Sequence, residues 1–383
     1  MEGRELIYLD NAATGFPKPR SVIDKMAELM LNGGGNPGRS SHSLALKASE
    51  AVYECREELN SFFEGEGAEQ VCFSASATAS LNLCIKGLLR RGDHVLISDM
   101  EHNAVYRPIY RLWKDRIVDY SVFPTFPQEK SERDARIIDG IKRRIRANTR
   151  VLVCSGVSNI CSARLPLEEI GRLCRSRGII FVLDGAQCAG HIEISLEKMN
   201  IDALCIPAHK GLLGPQGCGA AIFSKRIEPR TLIEGGNGVA SLEGETPRIL
   251  PEEYEAGTLP TPAIVGLREG VRTVAALGIQ AISAHESELF RRAREGLLRI
   301  DGVSLYCPHQ EGSVLLLNKK GIDSEELCRA LSDRGICTRG GYHCSALGHK
   351  TLGTLESGAL RVSFGVYNSS HDIDRLCEAL AQI

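Results

Sequence analysis

The sequence predicts an α/β protein: a doubly wound domain with a parallel sheet between layers of helices, followed by a smaller α+β unit. Three observations carry this. Apolar strand-like runs alternate with helical segments from residue 71 to residue 223. Those runs, such as Val151-Leu-Val-Cys154, are continuously apolar and not alternating, as in strands buried on both faces. Beyond Thr261 the texture changes to one long helical stretch and several short strands.

Taken in order, residues 7–14 read as a short apolar strand entering a small-residue turn. Residues 17–31 have helical spacing, with Val22, Met26 and Met30 on one face. The run Gly33-Gly-Gly-Asn-Pro-Gly38 stops that helix, and a second spans 43–63. A strand at 71–73 runs into Ser74-Ala-Ser-Ala-Thr-Ala-Ser80 and a helix through Leu88. Strands follow at 94–98, 151–154, 179–183, 201–206 and 220–223. Helices are expected at 104–113, 136–147 and 165–177. After Thr261 a helical region covers 263–299, with strands at 303–306, 313–317 and 360–364. Helices at 324–334 and from His371 to the end complete the reading.

Composition narrows the class. The 383 residues are 43% hydrophobic and 25% charged, with a net charge of −2. Acidic and basic residues are interspersed, so no nucleic-acid partner is expected. No apolar run approaches the length needed to cross a bilayer, so no membrane partner is expected. The N-terminus has no signal-peptide core, and a cytoplasmic location is expected. Fourteen cysteines are scattered without a CxxC pair or metal-ligand spacing, which suits a reducing compartment.

Several residues carry candidate chemistry. Lys210 stands in Ala208-His-Lys-Gly-Leu-Leu-Gly214, between an apolar run and a glycine-rich turn. That place suits a lysine holding a carbonyl cofactor as a Schiff base, or a solvated turn. Asp184 ends an apolar strand, where a carboxylate faces the ligand crevice or caps the next turn. His102, in Glu101-His-Asn103, could stack on a flat ring and move protons, or be structural. The strand-to-helix junction at 74–80 is a ready phosphate site, or an ordinary capped junction. Arg361 opens a buried strand and wants a carboxylate, from a substrate or from the protein itself. Cys344 sits among glycines and polar residues with His343 beside it. Of the fourteen cysteines it is the best candidate nucleophile.

Together these motifs resemble the class V aminotransferase family of fold-type I pyridoxal phosphate (PLP) enzymes, in its SufS-like cysteine desulfurase and selenocysteine lyase branch. The resemblance runs through Tyr8-Leu-Asp-Asn-Ala-Ala13, Asn36-Pro-Gly-Arg39, Ser76-Ala-Thr78, Glu101-His-Asn103, Val157-Ser-Asn159 and Asp184-Gly-Ala-Gln187. It continues through His209-Lys210, Gly214-Pro-Gln-Gly217, Glu255-Ala-Gly-Thr258, Arg339-Gly-Gly-Tyr-His-Cys344 and Arg361-Val-Ser-Phe364. It implies a large domain over 13–260 with a mostly parallel seven-stranded sheet. A small α+β domain would combine 1–12 with 261–383. It implies that Lys210 binds PLP, that His102 stacks on the ring and that Asp184 pairs with its nitrogen. Gln187 would bond the phenolic oxygen, and Ala77, Thr78 and His209 the phosphate. Thr258 would reach the phosphate of a neighbouring subunit in a homodimer. Asn159, Arg361, Ala12 and Ala13 would hold the substrate.

The implied activity converts L-cysteine to L-alanine and leaves a persulfide on Cys344 for a sulfur-acceptor protein. The alternatives are a selenocysteine lyase acting on L-selenocysteine, a C–S lyase that does not use Cys344, or a sulfur-relay protein without cofactor. Three positions depart from the family's pattern. Pro207 stands where relatives carry Ser or Thr, Gly156 where many carry His, and Asn237 where Thr or Ser is usual.

Overall fold

The computed structural model describes residues 6–38, 41–129 and 131–383. Residues 1–5 of the expected small domain, and Arg39 of the Asn36–Arg39 motif, lie outside them. The first half contains β1 (Ile7–Tyr8), α1 (Arg20–Asn32), α2 (Ser43–Phe62), β2 (Val71–Ser74), α3 (Ala77–Leu88), β3 (His94–Ser98), α4 (Asn103–Lys114) and β4 (Asp119–Phe123). It continues with α5 (Arg133–Lys142), β5 (Thr149–Ser155), α6 (Leu167–Arg177), β6 (Ile180–Asp184), β7 (Ala203–Pro207) and β8 (Gly219–Phe223). The remainder holds α7 (Thr261–Leu277), α8 (Ile279–Leu297), β9 (Val303–Tyr306), β10 (Val314–Lys319) and α9 (Ser324–Ser332). The chain ends with β11 (Ile336–Cys337), α10 (Ala346–Leu352), β12 (Leu360–Ser363) and α11 (Ser370–Gln382).

Seven strands form the large sheet in the order β2-β8-β7-β6-β5-β3-β4. All pairs are parallel except those made by β8, which runs antiparallel to both neighbours. The apolar runs explain why both faces are covered. Leu96, Leu152, Phe181, Leu183 and Leu204 point to one core, and Val95, Ile97, Val151, Val153, Val182 and Cys205 to the other. Successive side chains of a strand alternate faces, so a sheet with two cores has no polar positions to spare.

β4 is a strand where none was expected. It is the edge of the sheet, and Asp119-Tyr-Ser-Val-Phe123 is only partly buried. Such a strand has no continuous apolar run to announce it. The helix expected at 136–147 starts earlier and ends at Lys142.

The small unit is built from both ends of the chain. β9, β10 and β12 form an antiparallel sheet, while β1 pairs in parallel with β11. Ile7 and Leu9 pack with Phe290, Leu315, Phe364 and Leu376 in its core. The helical region expected over 263–299 is two helices, broken at Gly278, whose φ is +81°. α7 packs on α1 and α2, and its Ile264, Leu267 and Val271 belong to the large core. α8 packs on α11 instead. Packing partners therefore change at Gly278, some residues after Thr261.

A buried ion pair ties the Glu255–Thr258 segment to the large domain. Arg56 Nη1 and Nη2 donate to Glu255 Oε1 and Oε2 at 2.8 and 2.5 Å, and the Phe73 N–H donates to the same carboxylate. Among the described residues no helix is long and apolar enough to cross a membrane.

Candidate active site

β3, β5, β6 and β7 all end at one edge of the sheet, the usual position for a ligand crevice in this topology. A cavity of about 90 Å³ opens there. It is lined by Ala77, Thr78, His102, Asn159, Asp184, Gln187, His209 and Lys210, joined by Ser76, Ser155 and Pro207. Residues far apart in sequence thus meet at one place.

Lys210 follows the last strand residue, Pro207, by three positions. Burial pulls its amine down to about 8, with Asp184 opposing this and Arg361 and Arg339 adding to it. An amine lowered that far is partly neutral near physiological pH and can act as a nucleophile or base. His102 is the N-cap of α4, and its Nδ1 accepts from the Ala104 N–H at 3.0 Å. That bond leaves Nε2 to carry the proton and fixes the ring plane. Burial, then the Lys210 charge, lowers its pKa to about 4, so the ring is neutral.

Asp184, 3% exposed, ends β6. The Ala186 N–H donates to its Oδ1 at 2.9 Å, and burial raises its pKa. The carbonyl of His209 takes three donors: the Gly15 N–H at 2.8 Å, Lys18 Nζ at 2.7 Å and Thr14 Oγ1 at 3.2 Å. They pin the backbone directly before Lys210. The buried Nδ1 of His209 has no partner among the described residues.

Glu101 and Ser155 were not given roles from the sequence. Glu101 is fully buried, and no cation is paired with its carboxyl among the described residues. Its oxygens accept from Ser98 Oγ, from the Ser155 N–H at 3.1 Å and from Ser155 Oγ at 3.1 Å. Ser155 Oγ also lies 3.4 Å from Asp184 Oδ2, because Ser155 and Asp184 are register partners across β5 and β6. Two buried carboxyls thus share one hydroxyl. Burial, reinforced by Asp184, raises Glu101 to about 8.

Glu101 binds its proton more tightly folded than unfolded. Its contribution is therefore full below the ordinary value of 4.5 and is lost as pH rises through about 8. Glu101→Gln, which keeps the shape of the neutral acid, is expected to gain stability over wild type as pH rises from 5 to about 8. Melting temperatures of both proteins across that range check this. Parallel curves would show that Glu101 stays ionised when folded.

Arg361 is 1% exposed. Its Nη2 donates to Asp10 Oδ1 at 2.8 Å and its Nη1 to the Asn159 carbonyl at 3.1 Å, while its buried Nε has no partner among the described residues. The protein itself thus supplies one carboxylate. Cys344 alone of the fourteen cysteines is exposed, and Arg339 Nη2 lies 4.0 Å from its Sγ. Its carbonyl accepts from the Asn103 N–H at 2.7 Å, directly after His102, and the Ser345 hydroxyl donates to the Glu101 carbonyl at 3.3 Å. The loop therefore docks on the large domain beside the cavity. His343 and Cys344 have φ of +51° and +55°, left-handed values that cost roughly 1–2 kcal/mol per residue without glycine.

The Aminotransferase class-V family profile matches residues 7–376. The chain belongs to the class-V aminotransferase family. Within it, a protein named "Probable cysteine desulfurase" from Methanothermobacter thermautotrophicus is 30% identical over 99% of this chain and 95% of its own length. One of the same name from Staphylococcus aureus strain N315 is 28% identical over 100% of this chain and 93% of its own. Among solved structures, the apo cysteine desulfurase of Thermococcus onnurineus NA1 superposes with a TM-score of 0.90 at 28% identity. It covers 98% of this chain and 94% of that one. The cysteine desulfurase CsdA of Escherichia coli, at 24% identity and TM-score 0.88, shares the fold over 98% of this chain and 94% of its own. That fold is the fold-type I architecture, with its mostly parallel central sheet flanked by helices.

The residues present suit the cofactor on which class-V aminotransferases generally depend. The first N–H groups of α3 border the cavity at Ala77 and Thr78, a site for an anionic phosphate. The orphaned Nδ1 of His209 is a polar atom waiting for a partner. A flat neutral imidazole and a buried carboxylate line the same cavity. Gln187 Nε2 already donates to the Ala12 carbonyl at 2.9 Å, which leaves its second N–H. The Ala12 N–H donates to Ser363 Oγ at 2.9 Å, and Ala13 closes a turn onto the Asp10 carbonyl at 3.0 Å. Thr258 is exposed and borders a different hollow, shared with Leu232 and Ile233.

The departures from the class-V aminotransferase pattern have local reasons in two cases. A Cβ at Gly156 would lie 2.8 Å from Cys188 Sγ and 3.2 Å from Leu183 Cδ1, so a side chain there would have to displace both. Asn237 pins its own loop, donating to the Glu252 carbonyl and accepting from the Val239 N–H. Pro207 lines the cavity without a hydroxyl, and nothing in the structure explains that exchange.

Proposed function

We propose that this chain is a PLP-dependent cysteine desulfurase, which converts L-cysteine to L-alanine and leaves the sulfur as a persulfide on Cys344. The observation that carries this is the placing of the one exposed thiol, on a loop docked beside the cavity that Lys210, Asp184 and His102 line. Lys210 would hold PLP, with Ala77, Thr78 and His209 at its phosphate, and the cofactor would supply an electron sink for charge developing at the substrate Cα.

The chain's own residues do the rest. Asp184 would pair with the ring nitrogen, His102 would stack on the ring and Gln187 would offer its free N–H to the ring oxygen. Arg361 and Asn159 hold the substrate carboxylate, and the segment at Ala12 and Ala13 closes the site. Lys210 Nζ takes the proton from the substrate Cα and returns it during turnover. The thiolate of Cys344 attacks the substrate sulfur. An S–S bond forms and the substrate's C–S bond breaks. The electrons of that bond go to the substrate carbon, which picks up a proton and leaves as alanine.

Thr258 stands outside its own chain's cavity on an exposed segment, which supports a homodimer in which it serves the neighbouring site. Free thiols throughout support a reducing, cytoplasmic setting with a protein as sulfur acceptor. The test is the product. Purified enzyme with L-cysteine and a thiol reductant is expected to release alanine and sulfide in equal amounts. Pyruvate in place of alanine would make it a C–S lyase. Alanine from L-selenocysteine but not from L-cysteine would make it a selenocysteine lyase.

A further inference from the structure

The loop that carries Cys344 is held by a pair of imidazole rings, His343 and His349. His343 is 3% exposed and His349, on α10, is fully buried. His343 Nε2 lies 3.0 Å from the Arg339 carbonyl oxygen, and its Nδ1 lies 3.1 Å from His349 Nε2. His349 Nδ1 lies 2.7 Å from the hydroxyl of Thr354, which is also fully buried. The ring centroids are 5.3 Å apart with planes 17° from parallel. The N···N distance plus two ring radii accounts for that whole separation. The rings therefore meet edge to edge, nearly coplanar, as a hydrogen bond requires, and are not stacked face to face.

With both rings neutral, only one placement of protons satisfies this chain. A carbonyl oxygen can only accept, so His343 Nε2 carries a proton and its Nδ1 does not. His349 Nε2 must then donate to that Nδ1, and His349 Nδ1 must accept from Thr354 Oγ1. A proton added to His343 Nδ1 would set two N–H groups against each other. Burial lowers both rings, His343 to about 3, and the nearby Arg361 and Arg339 guanidinium groups act on His343 in the same direction. On its other side the same loop is fixed to the large domain, where Asn159 Nδ2 donates to the His343 carbonyl at 2.8 Å and the Asn103 N–H to that of Cys344.

We propose that His343 and His349 are positioning residues for Cys344: their one-way hydrogen-bond chain, from Thr354 to the Arg339 carbonyl, holds the loop in the left-handed turn that presents the thiol. The proposal rests on Cys344 being the sulfur carrier, while its test reads the loop itself. His349→Leu removes the acceptor and the donor together. His349→Gln keeps both, since an amide oxygen can accept from Thr354 and an amide N–H can donate to His343.

Hydrogen exchange of the peptide spanning 338–346, and the rate at which iodoacetamide alkylates Cys344, are measured on the holoenzyme. In His349→Leu, exchange is expected to rise at least ~tenfold, as the loss of two buried hydrogen bonds implies. The alkylation rate is expected to move severalfold, with the cofactor absorbance unchanged, and His349→Gln to return both to within about twofold. Wild-type exchange and alkylation in His349→Leu would overturn the proposal, and so would a Gln variant as disturbed as the Leu variant. If the Leu variant does not fold, Thr354→Val carries the test: it removes only the first donor and must raise exchange in the same peptide. Unchanged exchange there would equally overturn it. If desulfurase activity survives loss of the Cys344 thiol, the carrier role fails and these loop measurements still stand or fall alone.

Discussion

Lys210→Ala is expected to purify without the near-visible absorbance of bound PLP and to form alanine from L-cysteine at least ~10³-fold more slowly. In the proposed mechanism two losses combine there: the covalent hold on the cofactor and the base at the substrate Cα, the latter alone worth roughly 10²–10⁴. Burial has already lowered the amine to about 8, so a neutral form is available without a large energetic penalty. Exogenous PLP with a small primary amine is expected to recover part of the activity if the pocket is intact. An absorbance spectrum and an alanine assay at saturating cysteine check this. A variant that kept both colour and turnover would remove Lys210 from the mechanism.

Cys344→Ala has the second large effect. Alanine formation from L-cysteine is expected to fall at least about 10³-fold, because no other thiol is placed to take the sulfur. The nearest cysteine in sequence, Cys337, lies seven positions earlier in β11 and is partly buried, with burial and Asp10 raising its pKa. The cofactor absorbance is expected to be unchanged, since the loop docks beside the cavity without lining it. Mass measurement of the trypsin fragment spanning 340–350 after cysteine treatment follows the extra sulfur in wild type and its absence in the variant. Selenocysteine is the useful control. A selenium leaving group is less dependent on a nucleophile, so activity retained on that substrate alone would favour the lyase reading.

Much of the large domain was legible because a doubly covered sheet demands continuous apolar runs, and β3, β5, β6 and β7 have them. Lys210, Asp184 and His102 could be picked out because each stands just past such a run, and the structure sets all three around one cavity. What could not be read depends on contacts across long sequence gaps. Glu101 and Ser155 are 54 positions apart, and neither is unusual until the register of β5 on β6 sets Ser155 against Asp184. The short β11 and α10 have too few residues to show a period, so His349 fell in what read as loop. Gly278 looked like one glycine in a long helix, and only its left-handed backbone shows that α7 and α8 are separate.

The pairing of β1 with β11 has a consequence for synthesis. Ile7 finds its partner at Ile336, 329 positions later. At ribosomal speeds of about 5–20 residues per second, that partner emerges roughly 15–65 s after Ile7 does. Through that interval Ile7 and Leu9 have no core to enter, although the large sheet, complete by Phe223, can already close. The nascent chain therefore carries a sticky apolar leader beside a formed crevice. Its last strands and helix arrive as the clasp that retires it.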